Sequence, residues 1–300
     1  MSELDRPSLG ISLRILAGLL GAGMFVCVKA AGPDVPLGEV VFFRSFFALI
    51  PLLLFLWWRR EFPQGLATKR PFGHLIRSTF GALALFASFA AIARLNLAEA
   101  ILIAQLSPML MALGAVVLLS ERLTVWRMVG LGVGFCGVIV LVWPELEGDL
   151  KAARLLGMGF ALASAVLSAL ALIMVRSLNR TESPGAIALY FVIASMIGAL
   201  FTLPWGWIVP DLPTTALLVC SGLFGGFAHI ALTLSFRYAE ASRLAPFEYT
   251  ALLWPLLADL FIFNVHLSTT FLLAAPMILA GAVFAAAEGN RKAKDRTASA

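Results

Sequence analysis

The sequence predicts an all-α integral membrane protein of ten transmembrane helices arranged as two inverted five-helix repeats. Three observations carry this. First, 61% of the 300 residues are hydrophobic and 13% charged, with a mean hydropathy of +0.95, whereas soluble domains are about half apolar and a quarter charged. Second, the apolar residues fall into ten runs of spanning length. Third, the chain resembles itself weakly at an offset of 144 residues. The same composition excludes disorder, whose signature is low hydrophobicity with high charge, and it leaves no room for a soluble domain, because ten spans at about 20 residues each already use about 200.

Gly, Pro and charged residues punctuate the runs. The first, 11–31, follows a start with two acids and one base (Glu3, Asp5, Arg6). That is a poor head for a cleaved signal peptide, so the run is read as a retained helix. Run 37–57 lies between Pro36 and the Trp57-Trp58-Arg59-Arg60 cluster. Run 73–94 follows Arg70-Pro71, run 98–119 ends before Glu121-Arg122, and run 126–143 stops at Pro144. The second half holds 153–176, 185–206 after Pro184, 214–237 after Pro213, 241–263, and 268–287 before a basic tail.

Basic residues orient the bundle. With both termini on the cytoplasmic side, the inner segments hold fifteen Lys and Arg, including Arg59, Arg60, Lys69, Arg70 and the tail residues Arg291, Lys292, Lys294 and Arg296. The outer loops hold three, Arg94, Lys151 and Arg154. Cytoplasmic loops carry the excess of positive charge, which places the chain in the inner membrane as a multi-pass protein. The net charge of +5 is thereby assigned to lipid headgroups, with no nucleic-acid partner. Cys27, Cys136 and Cys220 sit inside apolar runs without metal or disulfide spacing, and are read as small buried hydrophobes.

The offset of 144 lays Leu123-Thr124 on Leu267-Ser268, Gly137 on Gly281 and Gln105 on Tyr249. Nearby offsets lay Ala98-Glu99-Ala100 on Ala239-Glu240-Ala241 and Lys29 on Arg176. This divides the chain into a first repeat at 1–148 and a second at 149–300. An odd number of spans inverts the second, a plan common in secondary transporters with the substrate site near mid-membrane.

The residues Leu119-Ser120-Glu121-Arg122-Leu123-Thr124 before Gly130–Gly137, Arg237-Tyr238-Ala239-Glu240-Ala241-Ser242, Leu244-Ala245-Pro246-Phe247-Glu248-Tyr249-Thr250 and the closing Ile278-Leu279-Ala280-Gly281 resemble the EamA-type branch of the drug/metabolite transporter superfamily. Within it the pattern looks like the bacterial amino-acid exporters of the YddG type. The resemblance implies ten helices, two inverted repeats, cytoplasmic termini and carriage of small metabolites, usually outward. It also implies a cavity lined by helices one, three, four, six, eight and nine, with five and ten as packing elements. One departure stands out: the second copy of the Glu-X-Leu motif reads Asn264-Val265-His266 and supplies no carboxylate.

Gly132-Val133-Gly134-Phe135-Cys136-Gly137 matches GxGxxG but lies in an uninterrupted apolar run. It lacks the strand–helix context of a dinucleotide site, so helix packing through Gly130 and Gly134 is the better reading. No sequence motif points to a cofactor, a metal site or an enzyme. Polar residues deep in apolar runs are more informative, since a charge at mid-bilayer costs about 2.5–3.5 kcal/mol and must face the bundle interior. The deep ionisable groups are Arg44, Arg77, His229 and Glu248. The substrate-binding candidates are Phe86, Gln105, Ser107, Ser168, His229, Glu248, Tyr249 and Trp254. Glu248 either binds a substrate ammonium or coupling proton, or pairs with Arg243 or Arg237. Pro108 and Pro246 are the candidate hinges, each equally a static kink. Arg44 is expected to pair with an inner-facing acid, and Lys29 either attracts a carboxylate or snorkels.

The expected function is alternating-access export of small metabolites, most simply neutral or aromatic amino acids, because few charges lie within the membrane. Phosphorylated or nucleotide-linked sugars need several cavity cations, and only Arg44, Arg77 and Lys29 are available. A membrane-embedded enzyme or lipid-handling subunit needs a catalytic constellation that the sequence does not display. The topology is directly testable. With native cysteines replaced, an impermeant maleimide added to intact cells should label Glu147→Cys and not Ala67→Cys, and the reverse result would invert the assignment.

Overall fold

The computed structural model describes residues 6–63, 66–107, 109–111, 113–114, 125–147, 152–179, 181–239, 244, 247 and 250–298. Within them the regular structure is helical: α1 Pro7–Ala30, α2 Leu37–Trp58, α3 Pro71–Ile92, α4 Leu97–Ala104, α5 Val125–Glu147, α6 Ala152–Leu178, α7 Pro184–Leu200, α8 Leu212–Tyr238, α9 Thr250–Phe261 and α10 Thr269–Ala298. Helices α1, α2, α3, α6 and α8 contain stretches long and apolar enough to cross a membrane, and shorter apolar helices accompany them. Large hydrophobic side chains such as Leu54, Phe72, Phe201 and Leu272 face outward. Outside a bilayer, exposing so many would be costly.

Helix starts follow local chemistry. Proline occupies the first turn of α1, α3, α7 and α8, where its missing N–H costs nothing. Ser183 and Asp211 accept from the Ala186 and Thr214 amides at the starts of α7 and α8, and Asn96 with Glu99 forms a capping box at α4. The ends depart from the sequence reading in places. Helix α7 stops at Leu200, short of 206, because the Thr202 hydroxyl donates back to Ala199 O at 2.7 Å and the chain tightens into a 3-10 turn, Leu203–Trp205, ending at Gly206 with φ 88°. The run 98–119 is interrupted: α4 ends at Ala104 and turns at Gln105 and Leu106, whose amides bond to carbonyls three residues back. Asn264 adopts φ 51° in the turn after α9. Asn tolerates this left-handed conformation, so the residue that lacks the motif's carboxylate serves the turn.

The helices pair chiefly across the middle of the chain. Helix α1 packs on α8 and α9, α2 on α7 and α8, α3 on α6 and α7, α4 on α6 and α9, and α5 on α10. Small residues let backbones meet. A Cβ on Gly281 would lie 2.5 Å from Gly130 O and 2.7 Å from Gly134 N, so the GxGxxG segment is a groove for α10, as the packing reading required. On α8, Gly222 and Gly226 lie against the α2 backbone at Phe43, Arg44 and Ala48 in the same way.

Polar clamps fix one end of the bundle. The Asp259 carboxylate, on α9 and fully buried, accepts from the Leu97 and Ala98 amides at 3.1 and 2.7 Å, satisfying orphan donors at the α4 N-terminus. Glu99 pairs with Arg154 of α6 at 3.1 Å. Lys29 donates to Leu95 O at 2.7 Å and lies 5.4 Å from the Phe263 ring, so it ties α1 to the α3–α4 turn. Of the cysteines only Cys27 is buried; Cys136 and Cys220 are exposed on the outside of α5 and α8, contrary to the sequence reading. The glycine seam yields a prediction. Gly281→Leu should destabilise the purified protein by about 1–3 kcal/mol through overpacking, read as a lowered melting temperature, whereas an unchanged melt would show that α5 and α10 do not meet there.

Candidate functional site

A cavity of about 500 Å³ lies inside the bundle, lined by residues of α1, α2, α3, α4, α6, α7, α8 and α9 together with Phe247. Among the described residues α5 and α10 contribute nothing to it, and α2 and α7 join the lining expected from the resemblance. The wall is mostly small and apolar: Ala17, Gly18, Gly21, Ala84, Leu85, Ile101 and Ala251. Its polar lining is Arg14, Arg44, Arg77, Ser88, Ser164, Ser168 and His229. Cavities of this size take small organic solutes.

Antiparallel helices bring the two deep arginines together. Arg44 lies seven residues into α2, roughly 10 Å from that helix's start, and Arg77 six residues into α3, roughly 9 Å from its start. The two guanidiniums converge on Phe191 of α7, whose ring centroid is 5.9 Å from Arg44 Cζ and 4.1 Å from Arg77 Cζ. His229 of α8 completes the cluster, edge-on to Phe191 with centroids 6.3 Å apart. Arg44 Nη2 donates to His229 Nε2 at 3.3 Å. A guanidinium has no acceptor, so His229 accepts through Nε2 and carries its ring proton on Nδ1.

Glycines make room for this cluster. A Cβ on Gly81, four residues after Arg77 on the same face of α3, would meet Arg77 Nη1 and Phe191 Cε2, each at 2.9 Å. A Cβ on Gly225 would meet Met24 Sδ at 2.9 Å and Arg44 Nε at 3.2 Å. The cluster is nevertheless incompletely satisfied. Arg44 is 3% exposed, and its Nη1, like Arg77 Nε and Nη1, has no hydrogen-bond partner among the described residues. The acid expected to pair with Arg44 is not found among those residues; its contacts are His229, Met24 Sδ at 3.4 Å and the Phe191 ring.

Comparison with known proteins places this architecture. Residues 8–143 match the EamA-like transporter family. Over 258 residues the chain is 30% identical to the pseudopaline exporter CntI of Pseudomonas aeruginosa, covering 84% of this chain and 86% of that one. The chain belongs to the EamA-like transporter family. It is therefore a multi-pass membrane transporter of small metabolites and not an enzyme. It is also 28% identical over 292 residues to a riboflavin transporter of Rhizobium johnstonii (94% and 92% of the two chains). An S-adenosylmethionine uptake transporter of Rickettsia bellii is 29% identical over 284 residues (92% and 93%). A solved crystal structure, 21% identical, shares the fold with a TM-score of 0.66 over 93% of this chain and 98% of that one. These relatives are named for cargo other than amino acids and for both directions of transport, so family membership alone selects neither.

In this EamA-like protein the residues singled out from sequence are distributed over several places. His229 and Ser168 line the central cavity. Phe86 lines a second cavity of about 1050 Å³ at the end of the bundle that carries Lys29, Arg94 and Asn96. Gln105 sits at the end of α4 with Nε2 buried, and Ser107 is buried nearby; neither Gln105 Nε2 nor the Ser107 hydroxyl has a hydrogen-bond partner among the described residues. Trp254 packs on α1 beside Gly18, which lines the cavity. Thr233 spends its hydroxyl on His229 O at 2.8 Å, and Ser164 spends its own on Ala84 O at 3.0 Å. Glu248, Tyr249 and the candidate hinges Pro108 and Pro246 lie outside the described residues. Phe191, the hub of the cluster, escaped sequence reading because one Phe among 23 carries no periodic or charge signal; its only mark is the partners that tertiary packing gives it.

One turn before Arg77, His74 anchors α3 at the other end of the bundle. Its Nε2 lies 3.3 Å from Glu182 Oε2, and its ring packs 4.4 Å from Tyr190. Glu182 also accepts from the Lys69 amide at 3.2 Å, and Arg70 Nη1 donates to Ser177 O and Oγ at 3.2 Å. Burial pushes the Glu182 carboxyl up, but hydrogen bonds from His74, Thr68 and the Lys69 amide outweigh it and hold the group below its ordinary 4.5. A depressed carboxyl stabilises the fold above its unfolded value and loses that contribution as pH falls through its folded value. Glu182→Gln should therefore melt lower than the parent at neutral pH, with the gap closing below pH 4.5. A gap that persists in acid would assign the loss to packing instead.

Proposed function

We propose that this EamA-like protein is a secondary-type exporter of the inner membrane that carries small carboxylate-bearing metabolites, amino acids among them, by alternating access through the central cavity. The single observation that carries this reading is the cavity itself. It is built from helices on both sides of residue 148, of a volume suited to one small solute, and lined by Arg14, Arg44 and Arg77. On this reading ten helices cross the bilayer as two inverted repeats, 1–148 and 149–300, with both termini cytoplasmic. The pattern of helix pairs supports the repeat. Exchanging α1 with α6, α2 with α7, α3 with α8, α4 with α9 and α5 with α10 turns each principal pairing into another principal pairing or into itself. Such a relation gives two bundles that rock about a fixed central site, the usual mechanics of inverted-repeat carriers.

Within this mechanism Ser168 and His229 contribute polar lining, Phe25, Phe191 and Phe247 contribute aromatic surface, Trp254 supports the wall from behind Gly18, and Gln105 and Ser107 lie at the end of α4. Glu248 and Tyr249, which lie outside the described residues, stay substrate-binding candidates on the sequence motif alone. Phosphorylated and nucleotide-linked sugars form the second reading, favoured by the convergence of Arg44 and Arg77 on one cavity. Counterflow in proteoliposomes tests the proposal. Vesicles preloaded with an unlabelled amino acid should accumulate the labelled form transiently above its equilibrium level. If no amino acid elicits the overshoot while a sugar phosphate does, the second reading replaces the first.

A further inference from the structure

Two cations from different helices meet at the central cavity. Arg44 and Arg77 both line it, and three of their nitrogens, Arg44 Nη1 and Arg77 Nε and Nη1, are closed off from solvent without a hydrogen-bond partner among the described residues. Guanidinium groups stay charged in proteins, so burial cannot be relieved by losing a proton. Their neighbours compensate only in part. His229 accepts one bond from Arg44, and the face of Phe191 attracts both cations without offering a hydrogen-bond acceptor. The two guanidiniums are pre-positioned at the cavity wall, because Gly81 and Gly225 leave the space that they fill. What completes such a site is a group with several acceptor atoms and negative charge, and carboxylates and phosphates meet guanidinium forks with matching geometry.

Resting on the reading of this cavity as the transport site, we propose that Arg44 and Arg77 form an oxyanion clamp. It selects solutes carrying a carboxylate or phosphoryl group on an apolar body over solutes of equal size without one. The apolar body lies against Ala17, Gly21, Ala84 and Ile101, and Phe191 holds the two arginines at their stations. His229 takes the Arg44 bond that the empty site would otherwise leave open.

Three probes built on one phenyl frame test the clamp: phenylpyruvate (a carboxylate), phenyl phosphate (a phosphoryl group) and phenethylamine (neither). Melting of the purified full-length protein is followed with each. At least one anion should raise the melting temperature in a saturable manner and phenethylamine should not; the anion that acts identifies the oxyanion. Arg77→Gln and Arg44→Gln should each weaken the apparent affinity at least tenfold, and Arg77→Lys should keep part of it. Equal stabilisation by phenethylamine, no response to either anion, or an undiminished response in Arg77→Gln would overturn the clamp. If Arg44→Gln does not fold, Arg77→Gln and the three-probe comparison on the unaltered protein still decide. Counterflow separates this proposal from the one beneath it. Overshoot with phenethylamine and with neither anion removes the clamp and leaves transport standing. Anion binding that depends on Arg77, with no counterflow of any solute, removes transport and leaves the clamp.

Discussion

Two guanidinium groups held away from water inside an apolar bundle set the terms for the rest of this molecule. In a bilayer a charged side chain at mid-depth costs several kcal/mol on any scale, so Arg44 and Arg77 must face inward. The helices that carry them then become walls of an interior space and not lipid-facing surface. Burial of the pair accounts for features that look unrelated along the chain: a phenylalanine under both cations, a histidine turned to accept one bond, and glycines wherever a methyl would strike a guanidinium. Their repulsion and incomplete satisfaction are offset by contacts elsewhere in the fold.

That remainder divides into seams and clamps. The seams are glycine-mediated contacts, α5 on α10 through Gly130, Gly134 and Gly281, and α2 on α8 through Gly222 and Gly226. Without a hydrophobic driving force between helices in lipid, close backbone approach supplies the association energy. The clamps lie at the ends, where polar groups are tolerated. Asp259 caps α4 from α9, Glu99 meets Arg154, and Glu182 gathers His74 and Lys69. These three join segments from different halves of the chain, whereas Lys29 ties α1 to the α3–α4 turn within the first half. The centre is left comparatively open, with unsatisfied groups at Arg44, Arg77, Gln105 and Trp254. A structure rigid at its ends and seams with unspent polar capacity in the middle suits a carrier that must bind a solute and release it.

The break in α4 illustrates how a sequence pattern and its structural outcome diverge. An apolar run such as 98–119 reads as one continuous span, since nothing before Pro108 in it lowers helix propensity sharply. In three dimensions the helix tightens at Gln105 and Leu106, and a polar side chain is left buried there. The tightening falls in the turn before Pro108 in the sequence, where a proline disturbs a helix, and beside Ala104, which lines the cavity. The opposite happens at Asn264, where a missing carboxylate looked like a lost functional group and the backbone instead uses the residue's tolerance of φ 51°.

The sequence by itself determined the solvent, the class and the places where helices start. Those depend on composition, on apolar run length and on capping residues, all of which are local quantities. It also marked Arg44, Arg77 and His229 as residues that must face inward, because the cost of charge in lipid is independent of which helix is the neighbour. It did not determine what they meet. That Arg44 contacts a histidine 185 residues away in place of an acid, that Phe191 serves both arginines, and that Phe86 belongs to a different cavity are consequences of which helix faces pack together. Those choices depend on shape complementarity between distant segments, where one glycine or one ring decides the approach, and no one-dimensional pattern encodes them. The proposal that two arginines read the cargo's carboxylate or phosphoryl group rests on that tertiary fact alone: two charges that are scarce along the chain are concentrated in one cavity.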